Sequence, residues 1–433
     1  MNIAILGAGA AGMICGSCLR DNTLAIALRR LGHEVTLVPL YTPMRTEQPS
    51  AAIRQVFYGG VNVWLQFASG VFRKTPRFVD WLFDRPWLLN WAGQYGAQTN
   101  PSQLADFTMA VLRGDHGPVT KELHRLADFL SGLEKPPEII MLPNALLIGL
   151  AALLKRQLGC RVVCELTGED IFLEAMDESQ RKAMREAIRQ REKHVDLFVA
   201  TSRYYAGHMA EYLGIPAERI AVVLSGVPEK HMRPVLPAEP PQRPPTIGYL
   251  ARICPEKGAD RAIDVFRRVK VRPGMEQAKL RIAGYLGRAH EKWWTGIWAR
   301  AQRDETAGDI EFLGEVELGT KLSFLDSIDV LCVPTRYAEA KGIYVVEALG
   351  HGVPAVLPAH GSFVEMAEMT GGVDLFAADN LEEAADRVAG LLQDTERRRR
   401  MGESCWRVSK EKLTDTRMAE EFVRRVMEIE TCR

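Results

Sequence analysis

Along nearly the whole chain, short apolar runs of four to six residues alternate with longer stretches whose apolar positions recur every three to four residues. The first pattern belongs to strands buried on both faces and the second to helices that cover them. The alternation therefore predicts parallel sheets layered with helices. In the first half, residues 2–6, 34–39, 139–142, 161–166 and 197–200 read as strands. Residues 22–31, stopped by Gly32, and residues 178–192 read as helices. The pattern lapses at "PEKHMRPVLPAEPPQRPP" (228–245), where seven prolines and no apolar period predict a semi-rigid connection. It then resumes with "TIGYL", "LRIAGYL", "IEFLGEV", "DVLCVP" and "PAVLP" as strands, and with "KGADRAIDVFRRV" and "GIYVVEALGHG" as helices. Two α/β domains follow, over residues 1–232 and 246–412, joined by a proline-rich linker at 233–245.

Length agrees, since 433 residues exceed one ordinary core. Charge removes several function classes. Lys and Arg number 55, as do Asp and Glu, so nothing marks the chain as a binder of nucleic acid or anionic membrane. The run Arg397–Arg400 reads as a solvated helix face. Eight scattered cysteines read as reduced thiols of a cytoplasmic protein, and Cys15-Gly-Ser-Cys18 lacks the second pair or the histidines of a zinc site. The N-terminus has no signal-peptide pattern, and the apolar stretch 139–154 is broken by Pro143-Asn144. The insert 42–135 contains "RFVDWLFDRPWLLNWAG". Its aromatics from Phe78 to Trp91 read as core or edge cover, with peripheral membrane contact the less favoured alternative.

Candidate chemistry begins at Gly7, Gly9 and Gly12, a G-x-G-x-x-G after the first strand. A dinucleotide fingerprint also needs a helix starting at the third glycine and an acid ending the second strand. The helical period starts only near Asn22 and the second strand ends "TLVPLY", so the fingerprint is incomplete. A glycine loop running on to Gly16 at the carboxyl edge of a parallel sheet instead suggests close backbone approach to a ligand.

Two stretches of the second half say more. In "IGYLARICPEKGADRAI", Arg252 and Lys257 fall on a strand-to-helix loop, where a guanidinium fork and an ammonium suit a diphosphate. In "PTRYAEAKGIYVVEALGHGVPAVLP", Glu339 precedes a helix that opens at Gly342 and contains Glu347. That helix start presents free N–H groups to an anion, and the two carboxylates suit sugar and ribose hydroxyls.

These stretches resemble the retaining GT-B glycosyltransferases of glycosyltransferase family 4 (glycosyl transferases group 1). The family's Glu-x7-Glu signature stands as Glu339 "AKGIYVV" Glu347, and its Arg-x4-Lys diphosphate clamp as Arg252 "ICPE" Lys257. "LRIAG", "IEFLGEV", "SIDVLCVPT" and "HGSFVEM" follow the family's order, and "GHEVTLV", "VDLFVATS" and "VVLSGV" extend the likeness more loosely into the first half. The resemblance implies a GT-B fold, with two Rossmann-like parallel-sheet domains facing across a cleft and a C-terminal helix, 413–433, returning to the first. It implies an enzyme that moves a sugar, with retention and without a metal, from a nucleotide-diphosphate sugar to a hydroxyl acceptor (glycan, lipid or small molecule). No cofactor is implied, the nucleotide sugar being a substrate.

By the same resemblance Arg252, Lys257 and Glu339 are catalytic. Donor contact falls to Gly16, Arg252, Lys257, Gly284, Val316, Glu339, Gly342, Ile343, Tyr344 and Glu347. Acceptor or sugar contact falls to Gly12, Cys15, Glu169 and Asp170. Where the family carries His-Gly, this chain has Thr167-Gly168, with Glu169 or Asp170 taking the histidine's place. The alternatives are a GT-B nucleotide-sugar epimerase or sugar phosphorylase, and an NAD- or FAD-dependent oxidoreductase built on Gly7, Gly9 and Gly12.

Overall fold

The computed structural model describes residues 1–9, 15–57, 101–116, 119–238 and 242–431. Gly12 and the aromatic stretch 78–91 lie outside them. The chain divides into two compact units, Met1–Leu224 with Met418–Arg433, and Ser225–Arg417.

The first unit is built on six parallel strands: β1 (Asn2–Gly7), β2 (Glu34–Pro39), β3 (Ile139–Leu142), β4 (Arg161–Leu166), β5 (Leu197–Ala200) and β6 (Ile220–Val222). They lie in the order β2-β1-β3-β4-β5-β6, so strand order reverses beside β1. Five of these strands coincide closely with the apolar runs of the sequence. The sixth has three residues, too few to give a pattern.

The first helix departs from the sequence reading. Helix α1 runs Gly16–Arg30 rather than 22–31. The apolar period starts late because the first turns bury Arg20, Asp21, Asn22 and Thr23 instead of apolar side chains. Arg20 forms an ion pair with Glu165 of β4, with both side chains fully enclosed. Burial pushes the Arg20 guanidinium down to about 10, against the pull of Asp21. Asn22 accepts from the backbone N–H of Ala51 at 2.7 Å. A helix that buries polar groups must pair them, and its sequence then carries no amphipathic stripe. The second helix, Glu178–Arg189, ends three residues before the predicted limit.

The second unit repeats the plan with β7 (Thr246–Leu250), β8 (Lys279–Ala283), β9 (Ile310–Gly314), β10 (Val330–Cys332), β11 (Ala355–Pro358) and β12 (Val373–Phe376). All are parallel, in the order β12-β11-β10-β7-β8-β9. Four of its helices matter below: α2 (Ala259–Lys270), α3 (Leu318–Asp326), α4 (Ile343–Gly350) and α5 (Ser362–Thr370). The described part of the proline-rich stretch lies along this unit. Trp406 Nε1 donates to Arg233 O at 2.7 Å, and Arg243 pairs with Asp329 at 2.7 Å.

The last helix, α6 (Asp415–Thr431), returns to the first unit. Met418, Ala419, Phe422 and Val426 join the core formed by Leu24, Leu28, Val35 and Ile139. Their spacing puts them on one face, and burying Phe422 contributes about 2–3 kcal/mol.

Candidate functional site

In the second sheet the chain starts in the middle, runs outward through β8 and β9, then returns to the other side of β7 with β10. The loops leaving β7 and β10 therefore flank the switch point, where open parallel sheets bind ligands. Arg252 and Lys257 lie on the first loop and Glu339 on the second.

The two loops are fastened together by backbone as well as side chains. Gly258 adopts φ +71°, and a Cβ there would stand 2.1 Å from Pro334 O. Only glycine permits that approach. Arg336 donates its N–H to Glu256 O at 2.9 Å, and its guanidinium reaches both Pro255 O and the Asp260 carboxylate. Gly361, at φ +62°, likewise lets the start of α5 close on the backbone of Glu339, and Ser362 N–H donates to Glu339 O at 2.8 Å.

This framework brings the Lys257 ammonium onto the Glu339 carboxylate as an ion pair, with the two side chains 8% and 7% exposed. Tyr344 OH also donates to Glu339, at 3.0 Å, and Tyr337 OH at 3.3 Å. The Tyr337 and Tyr344 rings each have their centroid 4.9 Å from Lys257 Nζ, which suits cation–π attraction. Burial pushes the Glu339 carboxyl up, but Lys257 and the Tyr344 hydroxyl outweigh it and hold the group below its usual range. For Lys257 burial prevails over the attraction of Glu339 and lowers its pKa. Burial drives the hydroxyls of Tyr249, Tyr337 and Tyr344 upward.

Gly342 caps α4 in the left-handed conformation, φ +55°, and no side chain caps that helix start. Ile343 and Tyr344 open the helix, so uncommitted backbone N–H groups lie beside the Lys257–Glu339 pair. Glu347 sits farther along α4 and pairs with Lys321 of α3. Arg252 is exposed, and its carbonyl accepts from Tyr249 OH at 3.1 Å. Gly284 follows β8 at φ +156°, where a Cβ would stand 1.7 Å from Ala251 O, next to Arg252. Val316, half-buried, lies on the loop between β9 and α3.

In the first unit the glycines have an internal explanation. A Cβ on Gly9, at φ +75°, would stand 2.3 Å from Thr42 O, and one on Gly7 would stand 2.6 Å from Met44 Sδ. Both make way for the chain leaving β2, which is reason enough for glycine at these two positions. Cys15 precedes α1, which Gly16 opens, and neither Cys15 nor Cys18 forms a disulfide. Hydrogen bonding to Cys15, then burial, raises the pKa of Cys18.

Glu169 is buried, and its carboxylate accepts the backbone N–H groups of Ala145, Thr167 and Gly168 at 2.9, 2.6 and 2.8 Å. It therefore ties the loops after β3 and β4. Asp170 accepts from Tyr205 OH at 2.6 Å and lies 3.0 Å from His208 Nε2.

Sequence reasoning missed Lys321, Arg336, Tyr337 and Gly361. Lys321 left one signal, a lone cation on the side of "LGTKLSFLD" that otherwise carries Leu325 into the core. The others become legible only once the two loops are adjacent. Among the described residues no cluster of three metal-ligating side chains occurs, and no helix is long and apolar enough to cross a membrane.

Two family models match the sequence. Residues 22–226 match a glycosyl transferase 4-like domain and residues 237–405 match glycosyl transferases group 1. A D-inositol 3-phosphate glycosyltransferase of Segniliparus rotundus is 27% identical over 219 residues, 48% of this chain and 46% of that protein. The match thus spans less than half of that relative's length. Among solved structures, the sucrose-phosphate synthase of Thermosynechococcus elongatus superposes with a TM-score of 0.71 at 15% identity, covering 100% of each chain. An Anabaena protein solved in complex with UDP and glucose gives 0.66 at 14% identity, covering 99% of this chain and 100% of that one. Residues 22–226 and 237–405 thus each carry a glycosyltransferase domain, and the chain has the GT-B architecture.

Proposed function

We propose that this protein is a retaining glycosyltransferase that transfers a sugar from a nucleoside-diphosphate sugar to a hydroxyl acceptor. The observation that carries the reading is the convergence, at the switch point of the second sheet, of Lys257, Glu339 and the uncapped start of α4. Residues 246–412 hold the donor and residues 1–232 the acceptor. The bond from the sugar C1 to the β-phosphate oxygen breaks with oxocarbenium character, and the acceptor oxygen bonds to C1 on the same face. The acceptor proton passes to the leaving phosphate. Arg252, Lys257 and the N–H groups opening α4 absorb the charge that develops there, so no metal is required. Glu339 orients the donor sugar and Glu347 the ribose.

The UDP and glucose of the Anabaena structure support a uridine donor, and the name of the Segniliparus relative supports transfer to a hydroxylated small molecule. None of the described cysteines forms a disulfide, which fits a cytoplasmic enzyme. The dinucleotide alternative is disfavoured by α1, which begins at Gly16 rather than Gly12, and by Gly7 and Gly9, which face Met44 and Thr42.

A thermal-shift screen of UDP, GDP, ADP and NAD tests the reading. A ligand at about 100 times its Kd stabilises by about 2.7 kcal/mol. One diphosphate is expected to raise the melting temperature and NAD to leave it unchanged; a shift with NAD alone overturns the proposal. The anomeric configuration of the product by NMR tests retention, and activity undiminished by EDTA tests metal independence.

A further inference from the structure

Lys321 lies on α3 and is 5% exposed, yet its ammonium is not buried among apolar groups alone. It grips Oε1 of Glu347 on α4, and of the two side chains the carboxylate is the more open, 17% against 6%. Phe324 and Leu325 of the same helix are fully enclosed, so Lys321 belongs to the face that packs inward. A lysine there costs desolvation that an apolar residue of similar length would avoid, which asks what the charge does.

We infer that Lys321 is a positioning residue for the donor nucleoside: its ion pair holds Glu347 aimed so that the carboxylate can accept the hydroxyls of a ribose diol. The inference rests on the proposed role of Glu347 as the ribose acceptor. Lys321 fixes one carboxylate oxygen and with it the direction of the side chain, so the order needed to meet a diol is present before the ligand arrives. Val345 and Val346, fully buried on α4, fix the helix face from which Glu347 projects. Recognition of ribose is thus shared between two helices that follow consecutive strands of the chain, α3 after β9 and α4 after β10.

The test is calorimetric titration of the full chain with UDP, GDP and ADP and with their 2′,3′-dideoxy counterparts, for wild type, Lys321→Met and Lys321→Arg. Wild type is expected to prefer the ribonucleotide of one base by roughly tenfold or more, the effect of hydrogen bonds to a charged acceptor. Lys321→Met is expected to bring that preference within about twofold while binding the dideoxy nucleotide as wild type does, and Lys321→Arg to keep most of it. Unchanged dideoxy binding shows that the fold and the diphosphate contacts survive. A Lys321→Met protein that still discriminates like wild type overturns the inference and leaves the transferase reading standing. A wild type that binds none of the three diphosphates overturns that reading itself, and this inference with it.

Discussion

Lys257 and Glu339, 82 residues apart in sequence, meet as a buried ion pair between the loops that leave β7 and β10. Each side chain is a candidate catalytic group, and each is the other's partner in this structure. A bound diphosphate would draw the ammonium toward itself while Glu339 keeps its tyrosine donors, Tyr337 and Tyr344.

Breaking that pair on one side strands a buried charge. Lys257→Met and Glu339→Gln are each expected to destabilise the second unit, by roughly 3–5 kcal/mol for a fully enclosed pair. The double variant should lose less than the sum, with a coupling on the order of 1–3 kcal/mol. Urea unfolding of all four proteins measures it, and strictly additive losses would show that the two groups do not interact.

The lowered pKa of Lys257 sets an alkaline limit. Binding of UDP is expected to weaken as the pH rises through a value below the ordinary 10.5, because the ammonium is lost there. Stability moves the other way: between the folded and unfolded values the unfolded chain holds the extra proton, so folding gains as pH rises. At the acid end Glu339 contributes fully above 4.5 and loses its contribution as pH falls through its lowered folded value. Lys257→Arg should move the alkaline limb of UDP binding upward, since arginine stays charged. The buried tyrosines titrate above their usual 10.0 and leave the limb to Lys257. An unmoved limb in Lys257→Arg assigns it to another group.

Gly284→Ala introduces a Cβ that would stand 1.7 Å from Ala251 O in the backbone leading to Arg252. The loop must shift, at a cost of about 1–3 kcal/mol, and with it the guanidinium. Weaker UDP binding together with a lower melting temperature is the expected result. Wild-type values of both would mean that Gly284 tolerates a side chain.

Arg252 is exposed, so its removal should spare the fold. Arg252→Ala is expected to lower turnover on the order of a hundredfold, the scale of one preorganised charge-stabilising donor, with the melting temperature nearly unchanged. Turnover within a fewfold of wild type would remove Arg252 from the diphosphate clamp.

In the first unit Glu165→Ala leaves the enclosed Arg20 without its carboxylate. A loss of roughly 3–5 kcal/mol is expected, with most of it restored when Arg20→Met is added. Circular dichroism melts of the single and double variants decide this. A single variant within about 0.5 kcal/mol of wild type would show that the pair is dispensable.

The sequence by itself determined the layered α/β class and the positions of most strands, and it singled out Arg252, Lys257, Glu339 and Glu347 as candidates. Strands buried on both faces appear as unbroken apolar runs, and the strand-edge loops punctuate them. Tertiary structure decided where α1 begins, because its first turns bury Arg20 and Asn22 against partners on β4 and on the segment after β2. It decided that Gly7 and Gly9 lie against Met44 and Thr42, and that Lys321 pairs with Glu347. Above all it decided that Lys257 pairs with Glu339. Periodicity records which face of an element is apolar. Which polar groups meet is set by strand order at the switch point, and strand order leaves no trace in the local pattern.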